Sequence, residues 1–205
     1  MSETITIVDY HAGNLTSVRL ALEKLDSACV VTSDPDAVAA ASRLVFPGVG
    51  AATAAMDTLR ALGLVEALRA YAETGRPMLG ICLGAQIVLE SSEEVDTPCM
   101  GLIRGRATRL DVPAEAKVPH MGWNTVEQVL PHAIWRDVEG GAQFYFVHSY
   151  APSPADGSVV IGRTDYFGAF VSAIARDNVV ACQFHPERSG RVGLKLLSNF
   201  LAWNP

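Results

Sequence analysis

The segment Gly80-Ile81-Cys82-Leu83-Gly84 constrains this chain more than any other, because it puts a thiol at a sharp strand-to-helix turn. The apolar Pro77-Met78-Leu79 precedes it and the helix-like Ala85-Gln86-Ile87-Val88-Leu89-Glu90 follows. Glycines on both sides let the backbone turn tightly and neighbouring strands come close, which is the logic of a nucleophile elbow. At the first turn of a helix the sulfur also feels unpaired N–H groups, which favour thiolate over thiol, and the pattern predicts a presented rather than a packed side chain. With 17 Gly and 4 Cys in 205 residues, Gly-x-Cys-x-Gly arises by chance in roughly 3% of such chains, so it needs support from elsewhere.

That support is Gln183-Phe184-His185-Pro186-Glu187, after the strand-like Asn178-Val179-Val180-Ala181-Cys182. In an extended segment residues two apart share a face, and Pro186 keeps His185 out of the helical region. An imidazole then stands beside a carboxylate, and with Cys82 the order is nucleophile, base and orienting acid.

Composition narrows the remaining possibilities. A chain with 49% hydrophobic and 19% charged residues suits one compact domain, expected to span residues 1–205. A net charge of −6 and the absence of any adjacent pair of Lys or Arg argue against nucleic-acid binding. The longest apolar stretch, near residues 77–89, is too short to span a membrane, and Met1-Ser2-Glu3-Thr4 does not read as a secretory signal. Cys29, Cys82, Cys99 and Cys182 are unpaired in spacing, which disfavours a zinc site or disulfide framework and suits a reducing cytoplasm; no metal or cofactor is expected.

Hydrophobic runs predict strands at residues 5–8, 29–32, 43–46 and 77–82, alternating with helices at 15–25, 35–41, 52–62 and 64–74, with Asn14 as an N-cap. Such alternation implies right-handed crossovers and a parallel sheet with helices on both faces. From residue 100 the texture changes to short strands at 101–110, 124–129, 143–150, 159–164, 169–175 and 179–184, read as the rest of the sheet plus an antiparallel layer. Residues 152–157 read as a polar surface loop, and Val192, Leu196, Leu197 and Phe200 make one stripe of a closing helix.

Gly80 to Gln86 together with His185-Pro186-Glu187 resembles the class I (triad) glutamine amidotransferases, which hydrolyse glutamine and pass ammonia to a partner. Ile7-Val8-Asp9-Tyr10, Gly13-Asn14-Leu15, Pro47-Gly48-Val49-Gly50-Ala51, Ser92-Glu93-Glu94, Pro119 to Asn124, Phe146 to Tyr150 and Asp177-Asn178 extend the resemblance nearly end to end. His11-Ala12 and Ala52 depart from the residues usual in the family. The resemblance implies a three-layer, flavodoxin-like α/β fold and a cysteine thioester mechanism with Cys82, His185 and Glu187 as triad. It implies oxyanion donors from Leu83 and the turn Gly48-Val49-Gly50, and glutamine held by Gln86, Glu94, His148, Ser149 and Tyr150. It also implies a heterodimer in which His120, Met121, Trp123 and Asn124 face a (β/α)₈ barrel cyclase subunit.

Blander readings compete with each assignment. Cys29, Cys99 and Cys182 read as small buried hydrophobes, Glu94 alone as part of a solvated acidic run, and Trp123 alone as core. The rival functions are a stand-alone cysteine hydrolase without glutamine-gripping residues, and a non-catalytic module on the same fold.

Overall fold

The computed structural model describes residues 4–11 and 15–205, so the expected cap at Asn14 and the departure at Ala12 lie outside the described residues. Ile5–Val8 (β1) is buried at every position, and Leu15–Glu23 (α1) turns Val18, Ala21 and Leu22 inward. Cys29–Thr32 (β2), Pro35–Ala40 (α2), Arg43–Gly48 (β3), Ala52–Ala61 (α3), Leu64–Glu73 (α4), Met78–Cys82 (β4) and Leu83–Ile87 (α5) complete the alternating half. The second half carries Ser91–Ser92 (β5), Thr97–Pro98 (β6), Gly105–Arg109 (β7), His120–Thr125 (β8), Glu127–Gln128 (β9), Gln143–His148 (β10) and Tyr150–Pro154 (β11). Val160–Asp165 (β12), Ala169–Arg176 (β13), Val179–Cys182 (β14) and Gly190–Ala202 (α6) close the chain.

The main sheet has eight strands in the order β2-β1-β3-β4-β14-β13-β12-β9. Neighbours from β2 to β14 run parallel, and β13, β12 and β9 extend the sheet antiparallel. Alternate side chains feed two cores: Leu44 and Phe46 pack with α3 and α4 on one face, while Val45 packs with α1 and α6 on the other. This is the expected mostly parallel α/β architecture. Two further sheets, β10-β8 and β11-β7-β5-β6, form the added layer.

Local chemistry explains the element ends. Asp34 caps α2 by accepting from the Asp36 N–H, and Pro35 occupies the first turn where a missing N–H does no harm. Arg43 is buried in β3 and donates to the Phe200 and Trp203 carbonyls, 2.8 Å each, placing a cation at the C-terminal end of α6.

Some expectations need correction. Residues 152–154 are not loop: they pair with β7 as an edge strand, where Pro152 and Pro154 need no second partner. The strand expected at 143–150 breaks at Ser149 into β10 and β11, which belong to different sheets, and 124–129 divides likewise between β8 and β9. A hydrophobicity pattern marks extended chain but not which neighbour it pairs with.

Candidate active site

The carboxyl ends of β3, β4 and β14 lie side by side, Gly48 opposite Cys82 and Cys182 opposite Ile81, and this edge is where open α/β sheets place their ligands. Cys82 ends β4 with φ 55° and ψ −107°. That is a strained conformation for a residue with a Cβ. The cysteine therefore takes the strain of the elbow itself, whereas the flanking glycines serve contact. A side chain at Gly84 would run into the Phe46 carbonyl, and one at Gly80 would come within 3.0 Å of the Ala181 Cβ. α5 spans only Leu83–Ile87, so it brings little more than one turn of aligned peptides to the sulfur.

The thiol is 5% exposed and lines a cavity of about 270 Å³, so it is presented to an enclosed space and not to open solvent. Val49, Gly50, Leu83, Gln86, Glu94, His148, Ser149, Tyr150 and His185 line this cavity with it. A larger groove of about 390 Å³ lies over Arg109, Asp111 and Arg163, but it holds no thiol or imidazole. Chemistry rather than volume selects the smaller one.

His185 follows β14 and donates from Nδ1 to Glu187 Oε1 at 2.8 Å, with both side chains under 5% exposed. Residues 186–188 form a 3₁₀ turn, so the pair meets across a tight bend and not along an extended strand. The ring is held further by its main chain, since its N–H donates to Tyr145 O and its carbonyl accepts from Ser189 Oγ. Burial alone would lower the imidazole pKa, but the Cys82 sulfur and the Glu187 carboxylate together outweigh it and carry it up to about 10. His185 Nε2 and Glu187 Oε2 have no hydrogen-bond partner among the described residues, which leaves the Nε2 proton of the charged ring available to the thiolate and to the substrate. The other thiols differ from Cys82 in surroundings: burial raises Cys99 to about 11 and raises Cys182 well above the usual thiol range.

The substrate-side residues carry structural duties unseen in the sequence. Glu94 Oε2 accepts from the Ala52 N–H at 2.6 Å, supplying the N-terminal cap of α3 that Ala51 lacks. Gln86 Nε2 donates to Tyr150 O at 3.0 Å and to Gln183 Oε1 at 3.1 Å. Gln183 in turn places Nε2 3.6 Å from Cys82 Sγ, a contact no motif had singled out. Its signal was the two-residue spacing from His185, which puts both on one face of the chain. Tyr10 ends the Ile7-Val8-Asp9-Tyr10 motif; its buried hydroxyl lies against Gly48, and burial, with Cys82 nearby, pushes its pKa up.

The expected partner-facing segment splits in two. Met121 and Trp123 are 64% and 55% exposed, so the core reading of Trp123 fails. His120 points the other way and is buried, because successive side chains of β8 alternate faces; its placement on a partner surface is corrected. Asn124 also turns back, donating to Asp165 O at 2.8 Å. Among the described residues, no cluster of His, Cys, Asp and Glu is arranged to hold a metal ion, and no helix is long and apolar enough to cross a membrane.

Comparison with known proteins agrees with this geometry. The family described as glutamine amidotransferase class-I matches residues 6–203. A Nitrosococcus oceani protein named imidazole glycerol phosphate synthase subunit HisH is 50% identical, with 98% of each chain covered. A Thiobacillus denitrificans protein of the same name is 47% identical over 100% of this chain and 93% of its own. Among solved structures, a chain of PurLQS from Thermotoga maritima superposes with a TM-score of 0.76 at 18% identity, covering 98% of this chain and 99% of that one, a likeness of fold. A family match over nearly the whole length, joined to relatives about half identical from end to end, places the protein in the class-I glutamine amidotransferase family.

Proposed function

We propose that the chain is the glutaminase subunit of imidazole glycerol phosphate synthase, one amidotransferase domain that frees ammonia from glutamine for a (β/α)₈ barrel cyclase subunit in histidine biosynthesis. The observation that carries the reading is the convergence of Cys82, His185 and Glu187 on one cavity, in a chain about half identical end to end to proteins bearing that name.

Cys82 Sγ, as a thiolate whose proton already rests on His185 Nε2 while Glu187 holds Nδ1, attacks the side-chain amide of glutamine. Negative charge develops on the amide oxygen and needs N–H donors; Leu83 stands in the first turn of α5, whose N–H groups lack intrahelical partners, and the turn Gly48-Val49-Gly50 borders the same cavity. His185 then gives its proton to departing ammonia, and water releases glutamate from the thioester. Glu94 is set to face the α-amino group, with Gln86 and the His148-Ser149-Tyr150 strand at the other polar end. Ammonia in water at neutral pH becomes mostly ammonium, a non-nucleophile, so it must reach its acceptor sheltered; the exposed Met121 and Trp123 are the docking residues for the cyclase. Cyclase and glutaminase together give imidazole glycerol phosphate and an aminoimidazole carboxamide ribonucleotide. Four free cysteines suit the reducing cytoplasm.

The test is glutamate release measured with and without a barrel cyclase and its nucleotide. Release that rises with the cyclase supports the reading; release that is absent, or indifferent to it, refutes the glutaminase or the partner half.

A further inference from the structure

The two buried histidines of the β8–β10 strand pair are not explained by the triad. The antiparallel register sets His120 opposite His148, and their rings meet through His120 Nδ1 and His148 Nε2 at 3.1 Å. On one side, His148 Nδ1 lies 2.8 Å from Tyr150 O. On the other, Asn124 Nδ2 lies 3.3 Å from His120 Nε2. Aromatic rings enclose the pair: Tyr166 covers His120 at 4.1 Å between centroids, and Phe170 stands 5.0 Å from His148.

Donor and acceptor roles along this row follow from its ends. A carbonyl only accepts, so His148 Nδ1 carries the proton. A neutral His148 then has a bare Nε2, which needs a donor, and His120 Nδ1 must supply it. His120 Nε2 is bare in turn and accepts from Asn124. The amide orientation of Asn124 is fixed independently, because Oδ1 accepts from the Thr125 N–H at 2.8 Å and Nδ2 donates to Asp165 O. Burial keeps both rings neutral, lowering His120 to about 4 and, against the Tyr150 carbonyl contact, His148 to about 3.

We propose that His120 is a positioning residue of the glutamine cavity: the one-way hydrogen-bond row Asn124 to His120 to His148 to the Tyr150 carbonyl props the wall formed by residues 148–150 from behind. The same carbonyl accepts from Gln86, which is bonded to Gln183 beside the Cys82 sulfur, so the row ends on the group that joins substrate wall to nucleophile. The inference rests on the cavity being the glutaminase site. It names a residue that touches neither glutamine nor the reacting atoms, on a strand whose other face exposes Met121 and Trp123.

The decisive measurement is the ¹⁵N–¹H correlation spectrum of the imidazole rings in the intact wild-type chain at pH 7. Both His120 and His148 are expected in the Nδ1–H tautomer, the opposite of the form free imidazole prefers in water. An Nε2–H or doubly protonated ring at either position overturns the row, whatever the enzyme does. Kinetics with the cyclase present then read the consequence. His120→Phe keeps an aromatic ring and removes the donor, and should raise KM for glutamine about tenfold while kcat stays within about twofold, the scale of one lost buried hydrogen bond. His120→Asn restores a donor near the Nδ1 position and should bring KM back to within about threefold. Wild-type KM in a folded His120→Phe chain overturns the positioning role; if that chain does not fold, the wild-type spectrum still decides the row. A wild-type chain that releases no glutamate would refute the functional reading, while the tautomers would remain independently testable.

Discussion

The elbow around Cys82 and the β8–β10 strand pair, whose β10 end at His148 lines the same cavity, are held by different physics. At the elbow the side chain is aimed by backbone alone: a strained residue between two closely packed glycine positions, all within residues 80–84. In the β8–β10 pair the backbone is a two-stranded antiparallel ladder and the aim comes from side chains bonded in a row. The first arrangement tolerates almost no change, whereas the second should fail by degrees. Strain concentrates at the reacting atom and hydrogen bonds at the substrate wall, a division that suits the tighter geometric demand of bond formation.

The largest effect should fall on the elbow. Cys82→Ala is expected to lower glutamate release by about 10⁴-fold or more while added ammonia still feeds the cyclase; near-normal release would refute the thioester. Gly50 has φ +92°, which proline cannot adopt. Gly50→Pro should therefore remove a candidate oxyanion donor and reduce cyclase-stimulated release by about 10²- to 10³-fold. Unaltered stimulation in a folded, cyclase-binding variant would take the turn out of the mechanism.

The two regions should also respond to pH with opposite sign. His120 and His148 have folded pKa values of about 4 and about 3, below the unfolded value, so the unfolded chain binds protons first as pH falls through about 6.5. Their stabilisation is present above that pH and drains below it, at about 1.4 kcal/mol per pH unit for each ring. His185, raised to about 10, behaves oppositely: its contribution is complete below the unfolded pKa and is lost as pH rises through the folded one. Denaturant midpoints at pH 7 and pH 5 test the limb set by His120 and His148, and no loss at pH 5 would contradict neutral buried rings. His185→Gln should flatten the alkaline limb.

Smaller effects separate outer from inner rows. Trp123→Ala should weaken cyclase binding by about 2 kcal/mol yet leave the isolated chain's thermal midpoint nearly unchanged, since Trp123 is 55% exposed and meets Tyr145 only edge-on. A large drop in midpoint would show a buried role. Finally, Cys82→Gly should be more stable than Cys82→Ala by about 1 kcal/mol, because glycine relieves the positive φ at that position; equal stabilities would deny the strain.

What the amino-acid sequence determined by itself is whatever depends on neighbours along the chain. The alternation of strands and helices to residue 82, the cysteine turn, and His185 beside Glu187 are all local patterns, and each is legible in the chain itself. Family resemblance extended the reading to the cavity residues, and most of them do line it. Tertiary structure decided what distant segments share. It capped α3 with Glu94 from 42 residues away, put Gln183 against the thiol, and enclosed Cys82 in a cavity instead of open solvent. It also divided Pro119 to Asn124 between an exposed face at Met121 and Trp123 and a buried one at His120. The reason is that a strand's period states which residues share a side, but only the pairing partner and the packed layer beyond it state which side is inside.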